Sequence, residues 1–244
     1  MNTSQEIYDI INFHRYKYLH DLSNLEEIRN YTKGLAKLKV LDIGCGNGRA
    51  AYELLKNERI DIYTGVDLDS ESLKNNIFSS LPKINYTSLQ MDLRKFIYYN
   101  DLKVLRNKFD VILVLGDVFN LLKKDNDIIP LLLEKLKQLS NINCYLFFEY
   151  YDFKELKEIN YSKDIYKNDA ETICVEYFVN RDKLTTLITF NEGNLKFSGT
   201  AIDRKKMIEM AKKASLHLDN TLTSSKSNKI IGNPIEIYRT KIHE

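Results

Sequence analysis

Three glycines on alternate positions, Gly44, Gly46 and Gly48 in LDIGCGNGRAAYELL, separate a short apolar run from a helical pattern. So glycine-rich a turn lets backbone approach a ligand closely and accepts φ > 0 where a Cβ would clash. Amides at the turn and at the following helix start favour an anionic group. Carboxylates recur around it. Asp42 precedes the first glycine, and Asp67 ends the run IYTGVD, 21 residues beyond Gly46 (67 − 46). A carboxylate at such a strand end accepts bidentately from a sugar diol, or else caps the next helix, although Asp69 and Ser70 are better placed for that cap. Asp92 follows INYTSLQM, and Asp117 follows the apolar FDVILVLG. The dinucleotide pattern GxGxxG fails because Gly48 arrives one residue early, and no GK[ST] follows to make a phosphate loop. What remains is DxGxGxG over residues 42–48.

The surrounding elements must aim these groups at one place. Strand-like KVLDIG, DIYTGVD, INYTSLQMD, FDVILVLG and INCYLFFEY alternate with the helical patterns GRAAYELLKN, SESLKNNIFSSL and NDIIPLLLEKLKQLS. Such alternation implies an α/β, doubly wound, mostly parallel sheet, and VILVL reads as a central strand covered on both faces. Near residue 150 the pattern changes. ETICVEYFVN, KLTTLITFNEG and NLKFSG imply an antiparallel β insertion of three strands. A helix follows in DRKKMIEMAKKA, capped by Thr200 or Asp203, and SLHLDNTLT and PIEIYRTKI complete a seven-stranded sheet as an antiparallel pair.

The glycine motif, taken with the ordered acidic residues after it, resembles the class I S-adenosylmethionine-dependent methyltransferases of small-molecule type over about residues 38–150. The resemblance implies a Rossmann-like fold and S-adenosyl-L-methionine as cofactor. It implies a turn of Asp42, Gly44, Cys45, Gly46, Asn47 and Gly48 around the methionine part, with Cys45 a packing residue. Asp67 and Leu68 would serve the ribose, Asp92 the adenine amine, and Leu93 the ring face, while Leu115 and Gly116 would line the crevice. Asn120 should look the same way. A general base is needed only for an acceptor that arrives protonated. Asp117 is the first candidate, followed by Glu149 and Tyr150 at the end of INCYLFFEY. Each of the three has an alternative role in holding loop backbone.

Partner classes are narrowed by what the 244 residues contain and lack. A net charge of +2 gives no bulk signature of a nucleic-acid binder. Neither the D/N-P-P-aromatic motif of base-amine methylation nor a Pro-Cys nucleophile stands after the fourth strand. No apolar run reaches the length of a membrane span, and the polar start MNTSQEIYDI makes the cytoplasm the expected location. Cys45, Cys144 and Cys174 form no metal-ligand spacing, and the last two are expected to be buried, inert thiols.

The expected organisation is one domain. Residues 1–37 form a helical lid whose Tyr8, His14, Tyr16 and Tyr18 either cover a cationic ligand or pack into the core. Residues 38–150 form the cofactor core, 151–200 the β insertion over the acceptor site, and 201–244 the final helix and strand pair. The favoured function is methyl transfer to a nitrogen or oxygen of a small molecule. An RNA or protein acceptor, or cofactor binding without transfer, remain alternatives.

Overall fold

The computed structural model describes residues 31–32, 37–55, 58–100, 108–116, 118–122, 127–152, 161–167, 172–190, 193–222 and 235–240. The expected lid, with Tyr8, His14, Tyr16 and Tyr18, lies outside these residues apart from Tyr31, Thr32 and Lys37, and Asp117 lies outside them too.

Five strands, β1 (Leu38–Ile43), β2 (Ile60–Asp67), β3 (Asn85–Gln90), β4 (Phe109–Val114) and β5 (Ser140–Glu149), run parallel. They are joined by β10 (Leu216–Leu222) and β11 (Ile235–Thr240) in the order β10-β11-β5-β4-β1-β2-β3. β11 is antiparallel to both of its neighbours. Val111, Ile112, Leu113 and Val114 of β4 are all fully buried, as a continuous apolar run in a covered central strand requires. Residues of alternate parity feed two separate apolar clusters, one on each face: Ile112 and Val114 on one side, Val111 and Leu113 on the other.

Six helices described here connect the strands: α1 (Arg49–Leu55), α2 (Ser70–Lys74), α3 (Leu93–Phe96), α4 (Val118–Leu122), α5 (Ile128–Leu139) and α6 (Arg204–Lys213). Asp69 caps α2 by accepting from the Glu71 and Ser72 amides, and Asp203 caps α6 by accepting from those of Lys205 and Lys206. SESLKNNIFSSL is not one helix. It breaks at Asn75, and the Asn76 side chain accepts from the Phe78 amide to start a separate 3₁₀ turn over Ile77–Ser80.

The β insertion has four strands rather than three: β6 (Tyr161–Lys167), β7 (Thr172–Asn180), β8 (Lys183–Phe190) and β9 (Gly193–Thr200), antiparallel in chain order. β6 is an edge strand, and YSKDIYK carries no clear apolar alternation to announce it. Cys174 is only half-buried there, contrary to the expectation, while Cys144 is fully buried and desolvation pushes its thiol up to about 12. Among the described residues no helix is long and apolar enough to cross a membrane.

Candidate active site

β1 is flanked by β2 on one side and β4 on the other, so the chain reverses its direction of winding between β1 and β4. Connections leave such a point in opposite directions and open a crevice beyond the strand ends. Ile43 pairs with Val114 there, which places the Gly44–Gly48 turn beside Leu115 and Gly116.

The turn adopts the conformation its composition permits. Gly44, Gly46 and Gly48 have φ of 69°, 51° and 79°, and Gly116 has 70°. The reasons for glycine differ. A Cβ on Gly44 would collide with Val118 at the start of α4, whereas one on Gly48 would come within 2.7 Å of Asn76 Oδ1. A Cβ on Gly116 would meet no atom of the described residues within 4 Å, so glycine is needed there for its backbone angle and not for space.

The carboxylates hold this geometry. Asp67 Oδ2 accepts from the Gly46 amide at 2.7 Å, and Oδ1 accepts from the Asp69 amide at 3.0 Å. Asp42 lies beneath the turn, 2% exposed, with Oδ2 accepting from the Tyr63 hydroxyl at 2.5 Å. Burial raises its carboxyl to about 7, against the opposing Tyr63 hydrogen bond and with a smaller push from Asp67. Cys45 packs over Gly65 of β2, and burial followed by the nearby carboxylates holds its thiol well above the ordinary range. It therefore stays a neutral packing group.

Most amides of the turn are engaged within the protein. Those of Gly44 and Cys45 donate to Val66 O, that of Gly48 to Cys45 O, and that of Arg49 to Asn47 Oδ1. With the Gly46 amide on Asp67, the glycines provide close approach rather than an anion cradle. Asn76 is the support that sequence reasoning missed. Buried, it donates to Gly46 O at 3.4 Å and to Cys45 Sγ at 3.9 Å. The paired asparagines interrupting LKNNIF were its signal.

At the ends of β2 and β3 the structure places an apolar and an acidic group. Leu68, next to Asp67, is 66% exposed, and Leu93 is half-buried. Asp92 caps α3 by accepting from the Arg94 amide at 2.8 Å, and its carboxylate lies 3.5 Å from the Arg94 guanidinium.

A family model described as a methyltransferase domain matches residues 35–216. The chain belongs to that family. No curated protein matches the sequence significantly. Among solved structures it is similar to an S-adenosylmethionine-dependent methyltransferase from Clostridium acetobutylicum ATCC 824, at 18% identity over 93% of this chain and 92% of that one, with TM-score 0.65. It is also similar to Streptomyces venezuelae DesVI, at 16% identity over 99% of each chain, with TM-score 0.69. The third is SAM-bound CalS10, an amino pentose methyltransferase from Micromonospora echinaspora involved in calicheamicin biosynthesis, at 16% identity over 99% of each chain, with TM-score 0.67. These are likenesses of fold, and the seven-stranded sheet with its antiparallel β11 matches them.

On the other wall of this methyltransferase's crevice, Glu149 Oε2 accepts from the Gly116 amide at 2.7 Å, so the buried carboxylate holds the Gly116 turn. Leu115 is buried with Val111, Leu113 and Phe147 and meets the crevice through its backbone. Tyr150 was expected at the crevice, but its side chain turns into the core. It is 2% exposed and donates to Glu236 Oε2 at 2.6 Å, with burial and then Glu236 holding its hydroxyl far above the ordinary range. Asn120 is likewise not a crevice group. Its buried amide donates to Thr200 O at 2.9 Å and accepts from the Tyr151 amide at 3.0 Å, clamping α4 to the ends of β5 and β9. Gly199 makes room for it, since a Cβ there would stand 3.2 Å from Asn120 Cβ. Asn120→Ala removes both of these buried hydrogen bonds and is expected to cost about 1–3 kcal/mol of stability, read from urea unfolding.

Proposed function

We propose that this methyltransferase moves the methyl group of S-adenosyl-L-methionine to a nitrogen or oxygen of a small molecule. The main support is the glycine turn and Asp67 meeting at the β1/β4 crevice. Asp67 uses one acceptor site on each oxygen for protein amides, and a carboxylate has about four, so two remain for a ribose diol. Leu68 and Leu93 supply apolar surface for a purine, and Asp92 an acceptor for its amine. Gly116 adds no side chain where the acceptor must approach. The residues therefore fit the donor.

A sulfonium donor supplies an activated methyl group, and the protein's part is alignment. Positioning two reactants in line supplies most of the acceleration such a displacement requires. Glu149 and Asn120 serve alignment here: the first fixes the Gly116 turn, the second ties that turn's helix to β9 of the four-stranded sheet. Asp117 remains the candidate for a base. The four-stranded sheet, anchored beside the crevice through β9, is the proposed acceptor cover. A small acceptor agrees with the modest net charge of +2 and with the amino pentose methyltransferase among the structural neighbours. Three free thiols suit the reducing cytoplasm.

Calorimetry with S-adenosylhomocysteine and a metabolite extract incubated with labelled methyl donor test this reading. Label in a small molecule is the expected outcome. Label in RNA or protein would replace the acceptor class, and tight binding with no label in any fraction would remove transfer. Asp67→Ala should weaken S-adenosylhomocysteine binding by about 1.5–3 kcal/mol, the scale for hydrogen bonds to a charged group.

A further inference from the structure

We propose that Tyr63 is a positioning residue for the methyl donor: by holding Asp42 it couples donor binding to release of one proton from the Asp42 carboxyl. This rests on the donor reading above. Tyr63 is fully buried in the middle of β2, its ring stacked 3.8 Å from that of Phe78 at 15° and near-parallel to that of Tyr86 at 6.1 Å. Within this stack the hydroxyl donates to Asp42 Oδ2 at 2.5 Å, with Asn76 and Cys45 also beside it. Among the described residues Tyr63 donates to Asp42 and takes Oδ2, so Oδ1 of this carboxyl beneath the glycine turn is the oxygen offered to a ligand. A cationic group arriving beside the turn, such as the ammonium of an amino-acid moiety, would find an acceptor there.

Among the described residues, the ionisable groups facing Asp42 come from two elements. Tyr63 and Asp67 stand on β2, and Cys45 stands in the turn itself. Its register partners, Gly65 on β2 and Leu113 on β4, carry no charge. Burial raises the carboxyl to about 7, Tyr63 opposes that rise and Asp67 adds to it. The phenol is itself held well above its ordinary range by burial and then by Asp42, so it remains a donor. A ligand ammonium favours the ionised carboxylate. Below neutrality binding must therefore expel the carboxyl proton to solvent, the O–H bond breaking as the ion pair forms.

The experiment is calorimetry of the full chain with S-adenosylhomocysteine from pH 6 to 9, in paired buffers of different ionisation enthalpy. Wild type should bind about tenfold more weakly at pH 6 than at pH 8, releasing close to one proton per ligand at pH 6 and little at pH 8. Tyr63→Phe keeps the ring stack and removes the donor. Its transition should move to higher pH, with more protons released at pH 8 than in wild type and affinity recovering toward pH 9. Asp42→Asn should flatten the pH dependence below 8. A uniform affinity loss in Tyr63→Phe at every pH, or binding by wild type with no proton release at pH 6, would overturn this proposal and leave the donor reading standing. No binding by wild type at any pH would overturn both.

Discussion

Replacing Gly46 with valine is expected to abolish donor binding while leaving the chain folded. Gly46 sits at φ 51°, in the left-handed region where a β-branched side chain is strained by roughly 1–2 kcal/mol. The larger effect is local. The Gly46 amide is held by Asp67 Oδ2 and its carbonyl by Asn76 Nδ2, so relaxation of the backbone pulls on both. Displacing Asp67 removes the proposed ribose acceptor, and the new side chain occupies the close approach that the turn provides. A loss of at least about 3 kcal/mol, more than roughly 100-fold in affinity, is expected in calorimetry with S-adenosylhomocysteine. Circular dichroism should remain that of wild type, because the sheet hydrogen bonds of β1 and β2 lie outside the turn. Unchanged affinity would show that the turn does not contact the donor.

Glu236→Ala is expected to produce the largest loss of stability, for reasons unrelated to the site. Glu236 is 0% exposed in β11. Its Oε2 accepts from the Tyr150 and Tyr238 hydroxyls at 2.6 and 2.5 Å, and its Oε1 from Arg204 Nε at 2.6 Å. Arg204 also donates to Thr221 Oγ1 at 2.9 Å, so β5, β10, β11 and α6 meet at one carboxylate. Alanine strands two buried hydroxyls and the end of a guanidinium. Each stranded buried hydroxyl costs about 1–3 kcal/mol, and the partly exposed Arg204 adds less than a fully buried ion pair would. Glu236→Gln keeps an acceptor of similar shape and should cost clearly less. Urea unfolding of the two variants reads the difference, and equal losses would mean that volume rather than charge holds the junction.

The methyltransferase core was legible in the sequence because its signals are local. Strands on both sides of a glycine turn, a continuous apolar run at β4 and acidic residues at strand ends follow from periodicity and backbone sterics, which neighbouring residues set among themselves. The order of elements then leaves few ways to wind a parallel sheet. Capping by Asp69 and Asp203 belongs to the same class, as a carboxylate two or three residues before an amide finds it without help from the rest of the fold. β6 escaped because an edge strand lacks the apolar alternation that marks a half-buried one.

By itself, then, the sequence determined the winding of the sheet and the place of the glycine turn and its carboxylates, since these depend on spacing along the chain. Tertiary structure alone decided which polar groups meet. Asp42 meets Tyr63 across two strands, Gly46 meets Asn76 from a separate turn, Gly116 meets Glu149 across 33 residues and Tyr150 meets Glu236 across 86. It sent the Tyr150 hydroxyl and the Asn120 amide into the core, and it engaged the amides of the three turn glycines internally. A buried donor or acceptor must be satisfied by whatever partner packing brings within about 3 Å, and that partner has no fixed offset in sequence.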